Sequence, residues 1–233
     1  MAHCLQTREP LPDFVITFLD NERIAQRDFE PDFYKHLARL CQIRADHKNK
    51  GFVDADMAKD AHELMHEFEE WQPTIADWQP DERPAPGPEI ATSADDTYRF
   101  VWLATIWIFK HTAQILASDL VIEWARAQNL VTPGSPASHT LKEVLETQTI
   151  LCEELRESVV YYLDIFKSSQ SNMRTIGGYG LLWPLYVLST AAVSTPLTMR
   201  WISRKAEEIA EAFGIRQSKT MADFMRMYAS NTG

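Results

Sequence analysis

From Met57 onward, apolar residues recur at Met57, Ala61, Leu64, Phe68 and Trp71, in steps of four, three, four and three. That period lines one face of a helix, and Asp54 stands where an N-cap acceptor belongs. The spacing predicts a surface helix over 53–72 with a single buried stripe. A longer helix is predicted over 95–127, opened by Asp95 or Asp96. Its apolar positions, among them Trp102, Ile106, Trp107, Leu116 and Trp124, cover so much of its circumference that it must pack on several sides.

Downstream, Thr140 and Glu143 have the spacing of a capping box, ahead of a stripe through Leu141, Val144, Leu151, Leu155, Val159, Tyr162 and Phe166. The stretch VTPGSPAS (131–138) reads as a turn and SSQSNMRTIGG (168–178) as a polar loop. The apolar run GYGLLWPLYVLSTAAV then reads as a helix that Pro184 must either begin or kink. Thr195 and Pro196 form an N-cap and N1 pair, Gly214 a C-cap, and a last helix runs from about Ser218 to Tyr228. Prolines 80, 84, 86 and 88 forbid helix and predict an extended connector over 76–93. Alternating strand patterns and hairpin dipeptides are absent. The expected fold is all-α: a single multi-helix domain arrayed around long central apolar helices, with amino-terminal helices in 1–75 and the helical core in 94–233.

Charge narrows the function classes. The formal net charge is -10 with no Lys/Arg run, which opposes direct binding to nucleic-acid phosphates. Cys4, Cys41 and Cys152 are odd in number and far apart, so three reduced thiols in a reducing compartment are expected. The opening MAHCLQTREPLPDF lacks a signal-peptide core, and the most apolar runs are shorter than the ~20 residues a bilayer span needs. An intracellular protein with no membrane partner is expected.

One chemical motif stands out. His62, Glu63 and His66 spell HExxH, the pattern that gives zinc peptidases two metal ligands and a general base. With Met57 at zero on the helical wheel, His62 falls at roughly 140° and His66 at roughly 180°, both away from the stripe. Glu69 and Gln72 occupy the positions where a metzincin carries Gly and the third His. A solvated helix face is therefore the expected reading, with no metal and no cofactor; a zinc site on His62 and His66 with Glu63 as base is the weaker alternative. Neither GxSxG, a P-loop nor GxGxxG occurs.

The residues from Gly177 to Met225, with LLWPLYV at 181–187, RWI at 200–202 and GIRQ at 214–217, resemble the carboxy-terminal part of the fungal-specific transcription factor domain, the regulatory middle homology region of fungal zinc-cluster factors. YRFVWLATIWIFKHTAQIL and ELRESVVYYLDIF resemble its long apolar helix and a segment ending in paired aromatics. The six-cysteine zinc cluster of that family is missing. The resemblance implies a nuclear or cytoplasmic regulatory domain that controls transcription through an effector, a protein partner or a fused DNA-binding region, with homodimerisation left open. The alternative is a stand-alone binder of a hydrophobic small molecule, or an enzyme reusing the fold. Its pocket would lie between the helix 95–127 and GGYGLLWPLYV, walled by Trp102, Trp107, His111, Tyr162, Tyr179, Trp183 and Tyr186.

Overall fold

The computed structural model describes residues 2–19, 31–72, 94–131, 136–168 and 171–231. Nine helices account for the regular structure among these residues, with no strand, so the fold is all-α. They are α1 (Ala2–Thr7), α2 (Asp13–Leu19), α3 (Pro31–Lys50), α4 (Ala55–Glu70), α5 (Ala94–Val131), α6 (Pro136–Ser168), α7 (Ser171–Thr190), α8 (Pro196–Phe213) and α9 (Arg216–Asn231). No helix among the described residues is long and apolar enough to cross a membrane. The chain divides into two compact units, residues 1–83 with 116–146 and 84–115 with 147–233, so that α5 and α6 each contribute to both. The predicted connector over 76–93 lies outside the described residues.

Capping chemistry sets several boundaries. The Asp54 carboxylate accepts the Met57 amide at 2.9 Å and opens α4. Thr195 accepts the Thr198 amide, Pro196 follows at the first turn of α8, and Gly214, at φ 70°, closes it in the left-handed conformation. Two boundaries differ from the pattern. Helix α6 begins at Pro136, four residues before Thr140, because proline in a first turn sacrifices no hydrogen bond. Thr140 thus lies inside the helix, its hydroxyl donating to the Pro136 carbonyl at 3.4 Å, and caps nothing. Helix α7 begins at Ser171, so most of the predicted polar loop is helical. Close packing at Gly177 and Gly178 outweighs their weak helix propensity. Pro184 lies within the helix, where it leaves the Gly180 carbonyl without its usual intrahelical donor.

In the first unit, α3 packs on α4. Phe33, Leu37, Leu40 and Cys41 are buried on one side, and Ala61, Leu64 and Phe68 on the other. The period of α3 is hard to see in sequence because Arg44 and His47 occupy buried positions. Arg44 Nε donates to the Leu5 carbonyl at 3.1 Å, and His47 Nε2 lies 2.9 Å from Glu123. Partners of this kind make polar burial tolerable. The three cysteines are buried and form no disulfide. Burial, reinforced by the neighbouring Cys4, pushes the Cys41 thiol up to about 12.

The second unit packs α8 against α7 and α9 around Leu181, Leu185, Ile202 and Ile209. Two buried hydroxyls staple α8 to the α9 side: Ser203 Oγ donates to the Ala222 carbonyl at 2.9 Å, and Ser218 Oγ to that of Ala206 at 2.5 Å. Glu208 on α8 accepts from Lys167 of α6 and from Lys205. Burial would raise its pKa, but the two ammonium donors outweigh that and lower it below the ordinary 4.5. A carboxyl whose pKa falls on folding stabilises above its unfolded value and loses that contribution as pH drops through the folded one. Glu208→Gln is therefore expected to cost about 1 kcal/mol at pH 7. The difference from wild type should shrink as pH falls below the ordinary 4.5 in pH-resolved urea melts; a gap that stays undiminished at pH 3 would assign the cost to packing.

Candidate ligand-binding groove

A groove of about 470 Å³ opens in the second unit where α6, the end of α7 and the head of α8 meet. Its place follows from local structure. Helix α7 ends at Thr190, and the turn to α8 closes with the Ser194 amide donating to the Ala191 carbonyl at 2.9 Å. Gln148, fully buried on α6, accepts the Val193 amide at 3.2 Å and fixes that turn against the helix. The turn therefore holds Ser194 and Thr195 over one end of the groove.

Its walls are chemically divided. Cys152, Leu188, Val193 and Leu197 supply apolar surface. Arg156, Glu153, Trp201 and Arg204 supply charge and a flat ring. The Arg156 guanidinium lies 4.9 Å from the Trp201 ring centroid, within cation–π range. Its Nη1 donates to both Glu153 oxygens, at 2.7 and 3.0 Å. Arg156 Nε and Ser194 Oγ are buried with no hydrogen-bond partner among the described residues, although buried polar groups are ordinarily paired. No ion pair of Arg204 occurs among the described residues.

The aromatic residues expected to wall a pocket are dispersed. The Trp102 side chain lies outside the described residues. Trp107 and His111 are half-buried neighbours on α5, rings 5.9 Å apart, with Lys110 Nζ 4.7 Å from the Trp107 centroid and His111 Nε2 3.8 Å from Glu154. Trp183 is buried against Phe109 at 4.9 Å, and Tyr162 against Phe166 and Tyr161. Tyr179 and Tyr186 point outward, the former donating to Gln217 at 3.2 Å. No space opens beside Gly177 or Gly178: a β-carbon on Gly177 would lie 2.5 Å from the Phe166 ring, and one on Gly178 2.5 Å from Phe213. These glycines bring helices together and leave no gap.

The HExxH residues lie on the outer side of α4. His66 is exposed, His62 half-buried, and their rings stand edge to face at 4.9 Å. Arg39 of α3 holds Glu63 at 3.2 Å, Glu67 at 2.8 Å and Asp60 at 3.4 Å, so the would-be base is an ion-pair partner. Burial opposes the Arg39 charge, but Glu67 and then Glu63 and Asp60 prevail and raise its pKa. No group of three His, Cys, Asp or Glu side chains suited to a metal occurs among the described residues.

Sequence reasoning missed Arg156, Ser194 and Arg204. The available signal was the pair Trp201 and Arg204, three apart at the head of an amphipathic helix, directly after Ser194, Thr195 and Pro196. That stretch was informative as a helix start, which concealed its second use. No protein-family model, curated protein or solved structure matches the chain.

Proposed function

We propose that this chain is a regulatory and interaction domain like those of fungal zinc-cluster transcription factors, acting on transcription in the nucleus through partners and not through direct DNA contact. The reading starts from the resemblance of Gly177–Met225, the segment that forms most of α7, all of α8 and most of α9. The observation that carries it is the outer face of α9. Ala222, Met225 and Ala229 bury one side of that helix, yet Phe224, Met227 and Tyr228, at i, i+3 and i+4, stand 62%, 66% and 50% exposed on the other. A helix apolar on both faces exposes a stripe of the kind a partner helix or groove covers. The stripe serves a protein partner, including a second copy, and the net charge of -10 keeps the domain off bare DNA.

The test is a fusion of the full chain to an unrelated DNA-binding domain upstream of a reporter. Reporter output is expected to change several-fold relative to the DNA-binding domain alone. Phe224→Asp with Met227→Asp is expected to abolish the change while circular dichroism and melting temperature stay as in the parent. An inert fusion, or one unaffected by those two substitutions, overturns the reading.

A further inference from the structure

We propose that the groove between α6 and the head of α8 is a binding site for a small planar carboxylate, an aromatic acid in chemical class. Size admits such a ligand, since about 470 Å³ lies within the range of small-molecule sites. The unsatisfied groups then decide its charge. An arginine Nε–H can only donate, and the Glu153 carboxylate occupies Nη1, on the far side of the guanidinium. The edge formed by Nε and Nη2 remains available, and two parallel N–H donors on that edge match the spacing of a carboxylate's oxygens. Ser194 Oγ is a second buried polar atom awaiting a partner, and Arg204 brings a cation for which no ion pair occurs among the described residues. Arg156, Arg204 and Glu153 together carry one positive charge in a chain whose net charge is -10. Glu153 is already engaged by Arg156 Nη1, so an anionic acceptor for Arg156 Nε, Ser194 Oγ and Arg204 would have to come from a ligand.

The rest of the lining sets the body of the ligand. Leu188, Val193 and Leu197 provide apolar walls, and Trp201 provides a ring face. These suit a flat hydrocarbon better than a sugar or a bare phosphate. Trp201 covers the Arg156 guanidinium and both orphaned atoms are shielded from solvent, so the indole must swing as the carboxylate enters. Binding at this site is therefore coupled to a change in the environment of Trp201. Phe224, Met227 and Tyr228 take no part in the groove, so the site holds or falls independently of the transcriptional reading.

The probe is 2-naphthoate, titrated into the full chain and followed by calorimetry and tryptophan fluorescence, with 2-naphthamide as the neutral control and inorganic phosphate as the bare anion. Naphthoate is expected to bind at one site per chain and to alter emission, and the emission change should be lost in Trp201→Phe. The amide and phosphate should each bind at least about tenfold more weakly, the loss of one charged hydrogen bond or of the apolar body. Arg156→Met should weaken naphthoate by about tenfold or more, and the exposed Arg204→Met by several-fold, without changing the melting temperature of the latter. Equal affinity for naphthoate and its amide overturns the proposal. So does tighter binding of phosphate than of naphthoate, or unchanged affinity in Arg204→Met; that last variant keeps the test decisive if Arg156→Met fails to fold.

Discussion

Replacing Gly177 by valine is expected to destabilise the second unit by about 3 kcal/mol, the upper end of overpacking costs. A β-carbon there would lie 2.5–2.6 Å from three atoms of the Phe166 ring, a distance that forces displacement. Phe166 is itself buried, so the ring has nowhere to move without shifting α6 or α7. Helix propensity works in the opposite direction, since any residue but proline improves on glycine by up to ~1 kcal/mol inside a helix. The clash must exceed that gain for the sign to hold. Gly180, three residues on, provides the control: nothing lies within 4 Å of its would-be β-carbon, so Gly180→Ala should be neutral or stabilising by up to ~1 kcal/mol. Adding Phe166→Leu to Gly177→Ala should recover part of the loss, a coupling that urea melts of the four-member cycle would measure. Valine at 177 with wild-type stability would mean that α7 does not approach α6 as closely as described.

The contrast between those two glycines shows where sequence reading reached its limit. Composition identifies Gly177, Gly178 and Gly180 as places where backbone can come close to something, and the structure shows two of them doing so against rings from α6 and from the end of α8. Sequence does not say whether the close approach fills space or leaves it, because that depends on which side chain arrives from another helix. The all-α class was legible because it rests on local information: the period of 57–71, the cap at Asp54, and the Thr195–Pro196 and Gly214 signals that bound α8. Helix α3 was not, because Arg44 and His47 interrupt its stripe and only the Leu5 carbonyl and Glu123 explain their burial.

A similar asymmetry separates the two sets of candidate binding residues. Large aromatics on apolar helices attract attention as ligand walls, yet Tyr162 and Trp183 spend their surface on neighbouring rings, and Tyr179 and Tyr186 face outward. The groove at the head of α8 draws its chemistry from residues unremarkable in sequence: a serine in a turn, an arginine beside a core leucine, and an arginine on a helix shoulder. Their interest lies in missing partners, and a missing partner is a property of three-dimensional surroundings. Arg156 illustrates the point, for Glu153 three residues earlier would be read from sequence as its complete counterion, whereas it engages only one edge of the guanidinium.

Phe68→Ala is expected to cost the first unit about 3–5 kcal/mol, as deletion of a fully buried ring does when its surroundings relax only partly. Phe68 has no exposed surface and meets Phe33 edge-on at 5.9 Å and the His36 ring at 5.5 Å. Those contacts are the means by which α4 is held to α3, so the cavity opens at the helix pair's centre. Two positions away, His66→Ala should change stability by no more than ~0.5 kcal/mol, because its imidazole is exposed and its ion-pair neighbour Glu69 is more so. His62→Ala should behave alike, with loss of one ring contact at the surface. The predicted ordering inverts what the HExxH pattern suggests: the residues that matter on α4 are the ones its motif skips. Urea denaturation of the three variants decides it. A large loss at His62 or His66, combined with a mild one at Phe68, would mean that the outer face of α4 is organised by something besides solvent and the Arg39 cluster, and would return the histidines to the centre of the functional question.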